Sequence, residues 1–420
     1  AVALHIPIYK AHADAWRDRM ALSNTTETYG AVAKTFHWAT ALLIFTLIPL
    51  GLYANSLPYE TSDQLAHKAF VFSLHKTLGI STFVVAVARI IWAISQTKPA
   101  HLHPERKIET FAAETVHWLL YGSLILVPLS GWIHHASTAG FAPIWWPFGQ
   151  DLPLVPKSES VAAFTAGLHK VFSMVLGLSI LLHVAGAVKH KVIDNDVTLA
   201  RMLPGTAELP DTPAGVHHSS TPLVAAVVAW MSALVIGAGA GVYAKHDAGV
   251  QAAALEVVQS DWVVEDGSLE ITVTQLGSPV TGAFADWTAA IRFDETVESG
   301  KAGSVEVAVS IGSLTLGSVT AQAMEADFFD AQTFPIATFV ADIQRSTEGY
   351  AAIGTLTIKD QTMPFTLPFT LDVAEGGARM TSDTTLDRRS YNVGVTSQPD
   401  ETNVGFAVGI QVELTARNEG

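Results

Sequence analysis

The sequence predicts a four-helix transmembrane bundle with a fifth transmembrane helix appended, followed by a soluble all-β domain of barrel or sandwich type. Three observations carry this. Hydrophobic residues fill 49% of the 420 positions and charged residues only 15%, with a mean hydropathy of +0.32, which is too apolar for a wholly soluble chain of this length. The apolar residues gather before position 245 in five blocks, each at or above the roughly 18 residues needed to cross a bilayer. Beyond residue 252 the blocks give way to short stretches in which apolar and polar residues alternate, the period of half-buried strands.

Charge divides the chain at the same place. Up to residue 251 there are 16 Lys+Arg against 15 Asp+Glu, a balance of +1; from 252 onward there are 8 against 24, a balance of −16. The net acidity therefore belongs to the β domain. The chain has no cysteine, which excludes disulfides, iron–sulfur clusters and thioether-linked haem, since each needs thiols.

In chain order, residues 1–30 carry Lys10, Arg17 and Arg19 and read as a short cytoplasmic tail. Within a bundle assigned to residues 31–205, the first span is FHWATALLIFTLIPLGLY, residues 36–53. The second covers about 66–94, the third about 111–133, and the fourth is LHKVFSMVLGLSILLHVAGAVKH, residues 168–190. A polar linker, 206–221, leads to a fifth span at 222–244. The tail, the loop between spans two and three (Lys98, Arg106, Lys107) and the segment after span four (Lys189, Lys191, Arg201) are basic, whereas the other two loops carry one lysine each with acidic neighbours. The positive-inside rule then places the N-terminus in the cytoplasm and, after five crossings, the β domain in the periplasm of a bacterial inner membrane. The tryptophans of FAPIWWPFG, residues 141–149, suit the interfacial belt.

The chemistry sits on histidines inside the spans. His169 and His183 are fourteen residues apart, so they leave one face of the fourth helix about 21 Å apart in depth. Ionisable groups at membrane depth are costly and tend to be functional. Partners stand at matching depths: His37, at the cytoplasmic end of span one, pairs with His183, and His75, in the periplasmic half of span two, pairs with His169. Two bis-histidine sites, each closing both axial positions of a b-type haem, describe electron carriers rather than oxygen binders. Gly79, Gly167, Ala185 and Gly186 beside the ligands would admit a flat macrocycle. Arg89, fourteen residues after His75, falls at the His37/His183 level; it reads either as the partner of a haem propionate or as a headgroup-seeking arginine. His117 reads as a substitute ligand for His37 or His183, or as a hydrogen-bond partner of a propionate. His67, His134, His135 and His190 lie at span ends, and His101 and His103 on a loop.

FHWATALL, SLHKTLGI, the fourth-span sequence and the trailing DNDVTLARMLP resemble the bacterial cytochrome b561 family of di-haem b membrane proteins, over about residues 28–205. The resemblance implies haem ligation by His37, His75, His169 and His183 and electron exchange with ubiquinone; one branch of the family oxidises superoxide. It also implies a role for Lys76 in anion approach, while Ala93 replaces a second arginine usual one turn after Arg89. In the β domain, DWVVEDGSLEITVT, GAFADWTAAIRFD, ADFFDAQTFPIATF, GTLTIKDQTMPFTLPF and LDRRSYNVGV resemble the YceI-like family of lipocalin-type barrels that bind polyisoprenoid chains, over about 252–417. Residues 320–324, TAQAM, depart from the charged stretch found there in that family. The alternating apolar row (Ile271, Val273, Val307, Val309, Leu356, Ile358) serves either a packed core or a slim cavity, and the resemblance favours the cavity.

The expected function is membrane electron transfer, with two b haems relaying electrons between ubiquinone or ubiquinol and a periplasmic redox partner, and a tethered barrel (252–420) taking ubiquinone or another polyisoprenoid. The alternatives are a superoxide:ubiquinone oxidoreductase and an accessory subunit docked on a larger respiratory complex. Expected partners are membrane lipids, the quinone pool and a periplasmic cytochrome c or respiratory complex; nucleic acid is not among them.

Overall fold

A computed structural model describes residues 22–138, 140–204, 219–244, 251–256, 260–347, 349–374 and 376–418. Most of the basic tail and most of the 206–221 linker lie outside these residues. The chain divides into two units, one helical and one built on the strands.

Among the described residues five helices are long and apolar enough to cross a membrane. They are α1 (Ala31–Ser56), α2 (Ser62–Ile94), α3 (Lys107–Ala136), α4 (Glu159–Lys189) and α5 (Thr221–Gly239). Their outward faces are as apolar as their inward ones: Leu42, Phe45, Leu52, Leu178, Leu181, Val235 and Ile236 are all more than half exposed. Such all-round hydrophobicity suits a lipid solvent, where the backbone is satisfied only within helices. Residues 31, 94, 107 and 189 stand at one end of the bundle, here called the basic end after its loops. At the midplane Ile44, Ala86, Leu124 and Leu176, from four different helices, form one apolar cluster with Leu120, Ile125, Val127 and Ile180 around it.

The fifth helix is more than a tether. It seats Trp230 against Gly122 of α3, where a Cβ would collide with the indole. The turn after α5 lays Tyr243 over Gly167 and Gly237 and against Phe164 of α4, with ring centroids 5.5 Å apart. Gly167 thus makes room for the tail of α5 and not for a macrocycle, a correction to the sequence reading.

The chain beyond α4 folds back over the basic end. One π-type turn, His190–Asp194, and a 3-10 turn, Ala200–Met202, shape it. Arg201 is buried; it donates to the carbonyls of Ala100 at 2.9 Å and Glu27 at 2.5 Å and lies over the Tyr29 ring. Lys34 donates to the Leu203 carbonyl and Trp38 Nε1 to that of Met202. Three stretches distant in sequence, around residues 27–38, 100 and 201–203, are tied together this way.

The strand unit is a single antiparallel sheet in the order β3-β4-β6-β7-β8-β9-β10-β1-β2-β5. The strands are β1 (Trp262–Gln275), β2 (Ser278–Phe284), β3 (Trp287–Phe293), β4 (Gly300–Ser310), β5 (Leu314–Thr315), β6 (Ile336–Ser346), β7 (Gly349–Ile358), β8 (Gln361–Ala374), β9 (Gly377–Asp387) and β10 (Val404–Asn418). The sheet curls until β1 meets β3: Asp261 N–H donates to the Ile291 carbonyl, and the buried Trp262 donates from Nε1 to that of Phe293 at 3.1 Å. Leu276 and Gly277, both at positive φ, make the tight β1–β2 turn that suits strand twist. One end of the curled sheet is packed shut by the 311–335 segment, whose Ile311, Leu314, Leu316, Met324 and Ala331 join Ile271, Phe284 and Val408 in one core cluster. Behind it lies a cavity of about 240 Å³.

Candidate haem-binding site

The four predicted ligands meet in two pairs. The ring centroids of His37 (α1) and His183 (α4) are 6.1 Å apart at the basic end, and those of His75 (α2) and His169 (α4) are 6.5 Å apart toward the other. A metal–imidazole nitrogen bond of about 2 Å puts two opposed imidazole centroids roughly 6 Å apart across one ion. Both spacings fit a bis-histidine iron.

Hydrogen bonding prepares one ring for ligation. His169 Nδ1 lies 2.8 Å from the Val127 carbonyl, and because a carbonyl only accepts, Nδ1 carries the proton. Nε2 is left with its lone pair free, the tautomer a metal requires. His75 Nδ1 is buried without a hydrogen bond of good geometry. Space is prepared as well. A Cβ at Gly51 of α1 would come within 2.8 Å of His75 Cε1, and one at Gly131 of α3 within 2.9 Å of His169 Nδ1. Each ring is therefore backed by a glycine on a neighbouring helix, a contact the sequence reading did not find. Gly79 and Gly186 face open space, as a macrocycle cradle would. The donor set, its tautomer and the space beside it fit haem b.

At the basic end a third imidazole joins the pair. His117 is 5.2 Å from His183, centroid to centroid, at 61°, too close for an ion to stand between them on that axis. Arg89 lies 5.3 Å from the Tyr121 ring centroid, and among the described residues no carboxylate forms an ion pair with it. Arg89 and His117 both lie near the His37/His183 couple, as groups that could receive propionates would. At the other level Lys76 is buried next in sequence to His75, His134 Nδ1 bonds the Ala162 carbonyl at 2.8 Å, and His134 and His135 are in ring contact.

The fold-back segment carries a charged network of its own. His190 Nδ1 lies 2.6 Å from Asp196, which His103 also approaches at 3.3 Å; Asp194 pairs with Lys189 at 2.8 Å and Arg106 at 3.1 Å. Burial raises the Asp196 carboxyl, but hydrogen bonds from Thr198 and His190 outweigh it and hold the group below its ordinary range. Glu109, His190 and Asp194 converge closely enough to hold a cation, but Lys189 and Arg106 already neutralise the carboxylates, so this is an ion-pair network.

In the strand unit the cavity is walled by apolar and aromatic side chains, including Ile271, Val307, Val309, Leu356 and Ile358 from the predicted inner row; Val273 packs instead in the adjoining core. Among the described residues Arg388 is the one charged residue on the wall. Its side chain is buried and bonds five carbonyls, those of Val393, Gly394, Gln398, Val404 and Gly405.

Residues 28–205 match the sequence model of the prokaryotic cytochrome b561 family, and residues 261–416 that of the YceI-like domain. Cytochrome b561 homolog 2 of Escherichia coli (strain K12) is 32% identical over 189 residues, which cover 44% of this chain and 95% of that protein. Cytochrome b561 homolog 1 of the same organism is 25% identical over 169 residues, 40% of this chain and 92% of the relative. Among solved structures, Burkholderia cenocepacia BcnA is 29% identical with a TM-score of 0.33, covering 36% of this chain and 95% of that one. A polyisoprenoid-binding domain from Saccharophagus degradans is 11% identical with a TM-score of 0.29, covering 38% and 99%.

Proposed function

The chain belongs to the prokaryotic cytochrome b561 family, and from that premise we propose that it relays electrons between ubiquinone or ubiquinol and a periplasmic redox partner through two b haems, while its YceI-like barrel takes an isoprenoid or quinone chain. The observation that carries the reading is the pair of histidine couples at 6.1 and 6.5 Å on two levels of one bundle. His37 with His183, and His75 with His169, would each hold a haem, which would supply a one-electron iron couple.

The rest is the work of the chain's own residues. His169 offers Nε2 because Val127 holds its other nitrogen. Gly51 and Gly131 let neighbouring helices close over the rings. The midplane cluster of Ile44, Ala86, Leu124 and Leu176 keeps a dry layer between the two levels, a barrier to protons and water that electrons can still cross. Arg89 and His117 are proposed to hold the propionates at the basic end, where a half-buried cation at membrane depth favours an anion. The basic loops make that end cytoplasmic by the positive-inside rule, with quinone exchange on that side.

A second reading, superoxide oxidation coupled to quinone, draws support from Lys76, a lysine buried beside His75. The −16 balance of residues 252–420 opposes an anionic substrate, though only within about a Debye length of 8 Å. An acidic barrel favours a basic partner such as a periplasmic cytochrome c.

The test is purification in mild detergent with acid–acetone extraction and a reduced-minus-oxidised spectrum. Two b haems per chain are expected; His37→Ala or His183→Ala should remove one, and His75→Ala or His169→Ala the other. Retention of both haems by His183→Ala, with loss of one in His117→Ala, would show the pairing to be wrong. Organic extraction of the same preparation should yield an isoprenoid lipid, lost in Val309→Trp without change to the haem spectrum. Turnover with superoxide and quinone, but none with quinol and cytochrome c, would favour the second reading.

A further inference from the structure

Among the described residues the barrel wall is interrupted between β8 and β9, and the interruption has a chemical signature. Strands β8 and β9 are adjacent, yet their ladder covers only Thr370–Ala374 against Gly377–Thr381. Among the described residues no ladder pair joins 361–369 of β8 to 382–387 of β9, although both stretches are strand and each is fully paired on its other side, to β7 and β10. The gap is framed. At one end the Thr370 and Thr381 hydroxyls are hydrogen-bonded at 2.6 Å and Ser382 Oγ donates to the Pro368 carbonyl. At the other end Lys359 donates to the Asn392 carbonyl.

The β8 edge facing this gap is built to stay unpaired. The Pro368 carbonyl points across to β9, and residues two apart on a strand share that direction. Pro364 therefore faces the gap as well, with Thr366 between them. Proline has no N–H to give a ladder and marks strand edges that are not to be paired. The prolines of MPFTLPFT remove two of the donors that would otherwise zip the wall closed. Immediately behind the edge, Phe365 and Leu367 line the cavity, so the gap opens onto its wall. The other discontinuity, between β3 and β1, is plugged by buried Trp262.

We propose that this gap is a lateral portal through which a linear isoprenoid chain enters and leaves the barrel cavity. The inference rests on the reading of the barrel as an isoprenoid-binding domain and adds its route. Recognition is of the tail alone. The five N–H groups of the Arg388 guanidinium have five carbonyls to serve, so the one charged group on the wall has no donor left for a phosphate or quinone head.

Carrying the Thr370–Thr381 register onward sets Thr366 opposite Thr385, both exposed, and the chain has no cysteine of its own. The test is the full chain with Thr366→Cys and Thr385→Cys, in phosphatidylcholine nanodiscs, bridged by a bis-maleimide with a reducible disulfide spacer. Uptake and release of deuterated solanesol, a polyprenol with no redox head, are followed by mass spectrometry of the repurified protein. Bridging should slow exchange at least tenfold without lowering the amount already held, and reduction should restore the rate. If the thiols do not bridge, Thr366→Cys carrying a bulky maleimide blocks the same gap. Exchange as fast with the gap bridged or blocked as without would overturn the portal and leave the isoprenoid reading standing. Absence of both endogenous isoprenoid and solanesol from the unmodified chain would overturn that reading, and the portal with it.

Discussion

At Gly131 the single hydrogen of glycine leaves room for the ring of a proposed haem ligand, His169. A Cβ there would stand 2.9 Å from His169 Nδ1, a nitrogen already held by the Val127 carbonyl, so the ring cannot simply swing away. Gly131→Leu should lose the haem of the His75/His169 level and keep the other, halving the haem-to-protein ratio; two retained haems would mean that the ring has room to move. Asp327 plays a comparable part in the barrel. It accepts from Thr396 N–H and from the Ser397 N–H and hydroxyl. Burial pushes its carboxyl up, but those hydrogen bonds outweigh burial and hold it below the usual 3.8. With its folded pKa lowered, the stability it contributes is present above pH 3.8 and lost as the pH falls through the folded value. Asp327→Ala should cost about 1.5–3 kcal/mol at neutral pH, with the two proteins' thermal midpoints converging below pH 3.8. A constant difference down to pH 2 would assign the effect to packing.

At the scale of elements, α5 and the fold-back segment turn a four-helix unit into a pinned assembly. Trp230 fills the notch that Gly122 leaves in α3, and Tyr243 covers Gly167. Gly122→Val should overpack that notch at a cost of about 1–3 kcal/mol, lowering the thermal midpoint of the haem-bearing unit while the two-haem spectrum persists. An unchanged midpoint would make α5 a tether and nothing more. Arg201 is the counterpart at the basic end. Its replacement by Ala strands the carbonyls of Glu27 and Ala100 and should cost on the order of 2–4 kcal/mol, again with both haems retained.

For the whole molecule the governing asymmetry is charge. The basic residues sit on one set of loops and the acidic excess in residues 252–420. With five helices long and apolar enough to span, the proposed topology puts the N-terminus and the barrel in opposite compartments. A reporter fused after Gly420 should be active only if it works in the periplasm, and protease added to spheroplasts should remove the barrel; protection of the barrel would reverse the orientation.

Periodicity and charge were enough to determine the spanning helices, the all-β second half and the four histidines, because those properties follow from local rules. A fourteen-residue spacing places two side chains on one helix face whatever surrounds the helix, and alternation makes strands wherever one side is buried. Which atoms back those side chains was decided by tertiary structure alone. Nothing in their own stretches marks Gly51, Gly131 and Gly122; helices distant in sequence set His75, His169 and Trp230 against them. Arg201 looked like one more positive loop charge, yet it is buried among three segments. The two prolines of β8 were visible, but that they face a gap depends on where the β8–β9 ladder stops. Sequence pattern reports what one element presents; the shape of the space between elements, where a haem or a lipid tail lies, depends on pairwise distances that no single stretch contains.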